Sequence, residues 1–327
     1  MDFRPTELQR ELAAGTRELL DARCTADVVR AAWDKPGTAA GLWASLAELG
    51  LPGALVPEAA GGLGLSVSDL VPALVETGRA AVPAPIVETA LVAVPLLLAA
   101  GRDDLVAAIV AGDALVTAAP AGEPVPWVPG ATHVLVLGEG AVLAVPGIRV
   151  PAVDGSRPLA RLADDGAEEL TVAAGDVAAA RLRGALGTAA QLVGLGERQL
   201  AMTVDYTAQR QQFGAPVGSF QAVKHHLADA LLGIRFAEPA VRAAALACDG
   251  DPGAGDLRRA VATAKALASD AADQVSRTAI QCHGAMGYTD EYDLQLYAKR
   301  TWALAAAWGT AADHRAVYAD AVGPAAR

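Results

Sequence analysis

Apolar residues recur at helical spacing over the first third of the chain. The rows that carry this pattern are Leu8, Leu12, Leu19 and Leu20, followed by Trp43, Leu46 and Leu49. Residues three and four apart share one face of a helix, so each row predicts an amphipathic helix. Gly50 ends the second of these helices, and Leu51–Gly64 reads as a loop rich in Gly and Pro. A further helix is predicted from Ser66 to about Arg79, and two prolines in Val82–Pro85 separate it from a third apolar helix.

A different pattern occupies the middle of the chain. Val134–Leu137 and Ala141–Val145 are short runs of β type, and Gly138–Gly140 between them is a hairpin signal. Pro, Gly and Asp punctuate the rest of the segment from about Ala114 to Val172. The pattern predicts a small β module between two helical parts.

From about Val177 onward the pattern is helical again. Two apolar rows predict two long helices, and their members are Leu182, Leu186, Ala189, Leu192 and Leu195, then Phe220, Val223, Leu227, Leu231 and Ile234. Pro239 is expected to kink the second helix. A third helix is predicted from about Asp256 to Cys282 and a fourth from Asp293 to Ala307.

The order of these patterns defines the fold class as mainly α. We predict an N-terminal helical domain at residues 1–112, a small truncated β domain at 113–175 and a C-terminal four-helix bundle at 176–327. Aromatic residues make up only 4% of the 327 residues, which disfavours a β-sandwich or barrel as the main body. A net charge of −11 without a Lys/Arg cluster argues against a nucleic-acid partner and against an anionic membrane surface. The longest apolar stretch, Ala90–Ala100, is about half of the roughly 20 residues that a membrane span needs.

The cysteines and the N-terminus indicate a cytoplasmic protein. Cys24, Cys248 and Cys282 are far apart and form no CxxC pair, which is typical of a reducing compartment. The N-terminus lacks the apolar core of a signal peptide. No metal site is predicted, because the adjacent His225 and His226 point about 100° apart on a helix.

The segment Tyr206–Pro216 carries residues that a helical core does not need. Arg210 stands near a predicted helix end and is followed by Phe213 and Gly214. A fixed guanidinium beside an apolar wall suits an anionic diphosphate with a flat ring system attached. The alternative is a capped helix end, in which Arg210 meets the last carbonyls and Gly214 is the cap.

A second unusual segment is Gln281–Glu291. Gly284 and Gly287 lie three residues apart and let the backbone approach a ligand closely, with Gln281 and Thr289 as hydrogen-bond donors. The alternative is a helix–helix connection that needs residues with positive φ.

Taken together, the two segments resemble the acyl-CoA dehydrogenase family. The family run R-x-Q-F-G-x-P…F-Q matches Arg210–Gln221, and Q-x-H-G-G-x-G-Y-T-x-E matches Gln281–Glu291 with Ala285 at the second glycine. Leu42–Gly50 and Val56–Ser66 match the family's first helical domain. The resemblance covers nearly the whole chain, with its motifs in the right order.

The resemblance implies a flavoenzyme in three parts. Such enzymes remove an α-proton from an acyl-CoA thioester while N5 of FAD takes the β-hydride. The residues implied for the pyrophosphate and adenine side of FAD are Arg210, Gln212 and Phe213. Those implied for its adenosine or ribityl end are Gln281, Gly284 and Thr310. In this family such groups usually reach across to the flavin of a neighbouring subunit, so oligomerisation would be part of the site.

Three departures from the family pattern limit what this chain does alone. The family segment T-E-P-x-x-G-S-D, which holds the flavin ring, should fall in Val116–Pro126, where no Gly-Ser-Asp occurs. The general base, a Glu followed by Gly-Thr, is replaced by Trp308, which cannot accept a proton. The alternative base position, 26 residues before Arg210, holds Gly184.

The leading hypothesis is therefore the short subunit of a heteromeric acyl-CoA dehydrogenase. The Arg210 and Gln281 segments would complete an FAD site in a full-length partner subunit, in an α2β2 complex that acts on an acyl-CoA. The partner would supply the ring-binding β domain and the catalytic Glu, while Trp308 fills a closed pocket beside Gly184. By the same likeness, such pairs are associated with bulky acyl chains.

Two alternatives stay open at this point. The chain could be a stand-alone dehydrogenase whose base has moved to Glu291 or Asp290, although Glu291 also matches a structural glutamate of the glycine motif. It could also be a non-catalytic scaffold of the same fold that has abandoned flavin. The retained Arg210 segment argues against the scaffold, because a scaffold has no need of a diphosphate clamp.

Overall fold

The first part of the chain is helical. The computed structural model describes residues 4–35, 40–128, 130–144, 146–162, 167–250 and 253–323. The six N-terminal helices are α1 Glu7–Arg23, α2 Ala26–Asp34, α3 Ala40–Glu48, α4 Val67–Arg79, α5 Val94–Ala99 and α6 Asp103–Val110. A π-helical turn at Glu88–Ala93 leads directly into α5.

The start of α4 agrees with the predicted helix from Ser66. The Ser66 hydroxyl accepts a hydrogen bond from the Asp69 N–H, and the Asp69 carboxylate accepts one from the Ser66 N–H. The carboxylate of Asp249, which lies 182 residues beyond Val67 in the sequence, also accepts hydrogen bonds from the N–H groups of Val67 and Ser68 at 2.8 and 2.9 Å. A negative charge at a helix N-terminus is favourable, so this cap also ties the two helical parts together.

Two small sheets form the middle of the chain. Their strands are β1 Val116–Pro120, β2 Val125–Pro126, β3 His133–Leu137, β4 Ala141–Ala144, β5 Pro146–Val150, β6 Leu159–Leu162 and β7 Glu168–Leu170. The order in one sheet is β1-β3-β4-β7, with β1 and β3 parallel, and in the other β2-β6-β5. The predicted hairpin is confirmed, because β3 and β4 are antiparallel and the Gly138 N–H donates to the Gly140 carbonyl. Val145, expected at the end of this run, lies outside the described residues.

Long helices form the last part, which confirms the mainly α fold with a small sheet region between helical parts. These elements are α7 Ala174–Gln209, β8 Gln211–Gln212, β9 Ala215–Pro216, α8 Gln221–Asp249, α9 Ala254–His283, α10 Leu294–Ala306 and α11 Ala311–Val322. The sequence did not predict α11, and none of its described residues is buried. α8 continues through Pro239 as one helix.

The two apolar rows behave differently in the folded chain. Four members of the α7 row are fully buried, namely Leu186, Ala189, Leu192 and Leu195. α4 and α7 approach almost to backbone contact, since a Cβ at Gly194 would lie 1.9 Å from the Val75 carbonyl oxygen. In contrast, Phe220 and Leu231 of the other row are 38% and 40% exposed. Val223 and Leu227 are half-buried and Ile234 is fully buried, so the α8 row is covered only in part, although its apolar spacing is that of a core helix.

One buried guanidinium joins the three parts of the chain. Arg300, on α10, is only 2% exposed. Its Nε donates to the Asp154 carboxylate, its Nη2 to the Ser156 hydroxyl at 2.8 Å, and its Nη1 to the Val82 carbonyl at 2.8 Å. Its charge also lies 5.0 Å from the ring centre of Trp127. The fork of one arginine thus fixes the sheet module against both helical parts.

We expect Arg300→Met to destabilise the chain by about 3–5 kcal/mol, because it leaves the Asp154 carboxylate buried without its cation. Arg315→Met is the matched control, since Arg315 pairs with Asp270 at the surface and its loss should cost no more than about 1 kcal/mol. Urea unfolding of the two variants and the parent measures both values. Equal effects of the two substitutions would contradict the role of Arg300 as the clamp.

Candidate functional site

The Arg210 segment forms an exposed arm beyond the end of α7. Gln211–Gln212 pairs with Ala215–Pro216 in a short hairpin. Phe213 and Gly214 form its turn with φ of 53° and 79°, the sign required of a type I′ turn. Gly214 therefore belongs to the hairpin turn, four residues beyond Arg210, which is the C-terminal cap residue of α7.

The tip of the arm carries an aromatic side chain in an unfavourable backbone conformation. Phe213 is 94% exposed, with its ring centre 6.3 Å from that of Phe220. A positive φ costs a bulky residue of the order of 1–3 kcal/mol, and such strain clusters at functional positions. Arg210 and Gln212 are exposed beside it. The arm thus presents a cation, an amide and a flat ring to the outside.

The glycine segment forms a tight turn at the end of α9. Gly284 ends the helix with φ of 60°, and Gln281 is exposed on the last turn. Gly287 is buried, and a Cβ there would lie 2.8 Å from the Ile280 carbonyl oxygen. Close backbone approach therefore requires glycine at 287, and positive φ favours it at 284.

His283 brings the arm and the glycine turn together. Its buried ring stacks on Tyr206, one turn before Arg210, at 4.2 Å between ring centres. The Tyr206 hydroxyl donates to the His283 carbonyl at 3.4 Å. Nδ1 of His283 lies 2.7 Å from the Ala279 carbonyl, so it carries the ring proton. Nε2 is buried without a partner among the described residues, and burial lowers the pKa of the ring.

The predicted position of the family's base lies at the other end of the bundle. Trp308 is 7% exposed and has φ of 58°. Its indole lies so close to α7 that a Cβ at Gly184 would stand 2.7 Å from two ring atoms. The two residues predicted to occupy the family's base positions therefore pack against each other, and the indole fills the space between them.

Two side chains hold the turn that carries Trp308. Lys265 is fully buried, and its ammonium donates to the carbonyls of Ala305 at 3.0 Å and Gly309 at 2.9 Å. Burial lowers the pKa of Lys265 to about 7. Nε2 of His314 donates to the Trp308 carbonyl at 2.9 Å, and burial lowers the pKa of this histidine too. The backbone carbonyls at the C-terminal end of α10 and in the following turn thus accept hydrogen bonds from side chains.

Thr310 is engaged in the next helix. Its hydroxyl accepts from the Asp313 N–H at 3.3 Å and donates to the Asp313 carboxylate at 2.7 Å, which caps α11. This position is next to Gly309, whose carbonyl Lys265 binds. Lys265 stands 18 residues before His283 on α9, about 27 Å at 1.5 Å per residue. Within one chain Thr310 therefore lies far from Gln281 and Gly284.

The predicted site residues form two separate groups. Arg210, Gln212, Phe213, Gln281 and Gly284 lie at one end, and Gly184, Trp308 and Thr310 lie at the other. Gly184 and Arg210 are 26 residues apart along α7, about 39 Å. Glu291 is exposed at the start of α10, near the arm, and the 13 residues of that helix place it about 20 Å from the Trp308 end.

A small cavity adjoins Trp308. It has a volume of about 140 Å³ and lies between β1, β2 and α10. Arg157 forms a buried part of its wall, and Glu123 stands at its exposed mouth, where burial by the walls raises the pKa of the carboxyl. Sequence reasoning did not single out Lys265, Arg157 or His314. The only available signal was a lone charge among alanines, as around Lys265 in Val261–Ser269.

The fold is that of a flavin-dependent dehydrogenase that acts on acyl thioesters. Residues 6–112 match the N-terminal domain of acyl-CoA dehydrogenases, and residues 176–323 match the C-terminal domain. The chain belongs to the acyl-CoA dehydrogenase family, whose members are FAD-dependent oxidoreductases of lipid metabolism.

Relatives and solved structures agree with this assignment. The chain is 33% identical to the acyl-CoA dehydrogenase IpdE2 of Mycolicibacterium smegmatis, over 90% of this chain and 91% of that protein. It is also 33% identical to the acyl-CoA dehydrogenase FadE34 of Mycobacterium tuberculosis, over 79% of this chain but only 39% of that protein. Its fold is similar to the ChsE4-ChsE5 complex from Mycobacterium tuberculosis, with a TM-score of 0.84 and 24% identity over 99% of this chain and 100% of that one.

The residues of this chain fit part of an FAD and not its ring. The arm and the glycine turn offer a guanidinium, an amide and close backbone, which suit a diphosphate and a nucleoside. The cavity beside Trp308, at about 140 Å³, is below the roughly 300–1,000 Å³ of ligand pockets and too small for a three-ring isoalloxazine. In the described part of the chain, no helix is long and apolar enough to cross a membrane, and no group of three metal-ligating side chains occurs.

We expect Gly184→Ala to destabilise the chain by about 1–3 kcal/mol, because the added methyl group overlaps the Trp308 indole. Gly15→Ala is the matched control: nothing lies within 4 Å of a Cβ at this position inside α1, and it should stabilise by about 0.5–1 kcal/mol. Urea unfolding of both variants, of Trp308→Ala and of the double variant Gly184→Ala with Trp308→Ala, measures the coupling. A penalty that persists without the indole would disprove the contact.

The buried His283 makes stability dependent on pH. Its folded-state pKa is below the ordinary value of 6.5, so the unfolded chain binds more protons in the window between the two. The stability it contributes is present above pH 6.5 and is lost as the pH falls. In His283→Gln the stability should therefore fall less steeply from pH 7 to 5, by up to about 1.4 kcal/mol per pH unit. Unfolding curves across this range test it, with the exposed His225→Gln as a control that should keep the parent slope.

Proposed function

We propose that this chain is the short subunit of a heteromeric acyl-CoA dehydrogenase that catalyses α,β-dehydrogenation of an acyl-CoA thioester. It contributes the Arg210 arm and the Gly284 turn to an FAD held by a full-length partner subunit and supplies no general base. The observation that carries this proposal is the separation of about 39 Å between Gly184 and Arg210 along α7. One dinucleotide cannot reach both ends of one chain, so the arm serves a flavin outside it.

The exposed apolar surface supports a partner at the arm. The large apolar side chains exposed at the arm, at the glycine turn and along α8 are Phe213, Leu232, Phe236 and Tyr288, with exposures of 94%, 53%, 72% and 80%. Extended apolar surface of this kind marks an interaction site. A second subunit would cover this surface.

The relatives support a partner of the same family. The ChsE4-ChsE5 structure is a complex of two differently named proteins, and one of its chains has this fold. FadE34 extends well beyond the region that matches this chain, which spans only 39% of it. The unmatched length of FadE34 is sufficient for a second unit of similar size. This is expected if two such units work side by side.

The chemistry assigned to this chain is binding and orientation. The Arg210 guanidinium would pair with the diphosphate, and Phe213 would lie against a flat face, since an arginine fork matches phosphate oxygens and a ring supplies apolar area. The Gly284 turn would bring backbone N–H groups close to the ligand. FAD, when bound, accepts the β-hydride of the acyl group. The α-proton needs a base within hydrogen-bond reach, and the Trp308 indole offers no acceptor, so the partner supplies it.

The two other hypotheses have less support. A base at Glu291 or Asp290 would act from an exposed position about 20 Å along α10 from the Trp308 end. A scaffold without flavin has no use for a strained, exposed aromatic tip beside Arg210.

The visible spectrum of the purified chain tests the shared site. Expressed alone, the chain should be colourless. Co-expressed with a full-length acyl-CoA dehydrogenase subunit, it should give a yellow complex with about one flavin per pair. Arg210→Ala should lower the flavin content of the complex by about tenfold or more, because a charge-assisted contact with the diphosphate is lost. Arg277→Ala, an exposed arginine on α9, is the control and should leave the flavin content unchanged.

Two outcomes would argue against the proposal. A lone chain that purifies with one flavin per molecule would place the ring site in this chain. Full flavin content in the Arg210→Ala complex would mean that the arm does not reach the cofactor.

A further inference from the structure

The cavity beside Trp308 has walls of two kinds. Most of its lining is apolar, with small side chains such as Ala118 on β1 and Ala303 and Ala306 on α10. The Trp308 indole covers one side. The remaining wall contains Arg157, which is 6% exposed. An apolar cavity with one buried cation is the arrangement of a binding site for a small anion that has an apolar body.

The guanidinium of Arg157 is poorly paired for a buried charge. Its Nη2 makes one long hydrogen bond, 3.4 Å, to the buried Glu88 carboxylate. Its Nε has no acceptor among the described residues. Its charge also lies 5.8 Å from the ring centre of Trp127. A guanidinium carries five N–H donors, and leaving most of them unpaired in a buried site is costly.

We propose that this cavity binds a small planar carboxylate, with the carboxylate on the Arg157 fork and the apolar body against the alanines and Trp308. An arginine fork matches a carboxylate in geometry as well as charge. The volume of about 140 Å³ suits such a ligand, since a cavity of about 150 Å³ holds one benzene molecule. Glu123 at the mouth disfavours ligands with more negative charge. The cavity is lined in part by Val116–Pro126, which corresponds to the family's flavin-ring segment, whereas the proposed shared flavin site uses the Arg210 arm and the Gly284 turn. A failure to bind benzoate would therefore leave the shared-site proposal untouched.

Titration calorimetry on the full chain, with the partner subunit where one is needed for stability, tests the site with benzoate as the probe. Benzamide has the same shape without the charge and should bind at least about tenfold more weakly. Arg157→Gln keeps a hydrogen-bonding group beside Glu88 and should weaken benzoate binding by about tenfold or more. Arg149→Gln, on the exposed strand β5, is the matched control and should bind benzoate as the parent does.

A second variant keeps the test valid if Arg157→Gln does not fold. Ala306 is exposed on α10 and lines the cavity, so Ala306→Leu should block the cavity and abolish binding without removing the cation. A benzoate with an octyl chain at position 4 separates two sources of the ligand. Binding of this probe assigns the site to the carboxyl end of a longer acyl group, and its exclusion assigns the site to a free small acid.

Three results would overturn the proposal. Benzamide could bind as tightly as benzoate, which would mean that the cavity recognises the apolar body of the ligand and not its charge. Arg157→Gln could leave benzoate binding unchanged. The parent chain could also fail to bind benzoate at millimolar concentration.

Discussion

The arrangement of the whole chain depends on the three hydrogen-bonding directions of the Arg300 guanidinium. It reaches the Asp154 carboxylate and the Ser156 hydroxyl in the sheet module and the Val82 carbonyl in the N-terminal part, while its own backbone belongs to α10. Burying a charge is costly, and the cost is offset only when its donors are paired in good geometry. A lysine could not do this, because it is a point charge without a planar fork. The contact therefore adds a directional constraint to the continuous apolar core that the three parts share.

The same helix transmits this arrangement to the second end of the molecule. α10 carries Arg300 near its middle and ends at the turn of Trp308. The carbonyls of Ala305 and Gly309 point to the buried Lys265, and a cation near a helix C-terminus is favourable. These hydrogen bonds favour the charged amine, whereas burial acts against it and dominates, so that the pKa falls to about 7. The turn is thus held at both sides, and the indole is fixed against α7.

Periodicity and motifs predicted the fold more completely than they predicted the candidate site. The row on α7 is a core row, the capped start of α4 is where Ser66 indicates it, and both family motifs form exposed turns. The α8 row has the same spacing but is only partly buried, because periodicity cannot distinguish a core from an interface with another chain. Buried charges such as Arg300 were not predictable either. Asp154, its partner, is 146 residues away in sequence, and only the fold brings the two together.

Trp308 and Gly184 are best understood as one coupled change. An indole at 308 needs the absence of a side chain at 184, since even a methyl group there would overlap the ring. It also needs a left-handed backbone that a bulky residue adopts only when the surroundings hold it, here through Lys265 and His314. A glutamate placed at 308 alone would enter a site shaped for an indole, beside an empty space at 184 and a buried amine. The predicted base position is therefore packed as part of the core, and this end of the chain stabilises the fold on which the arm at the other end is presented.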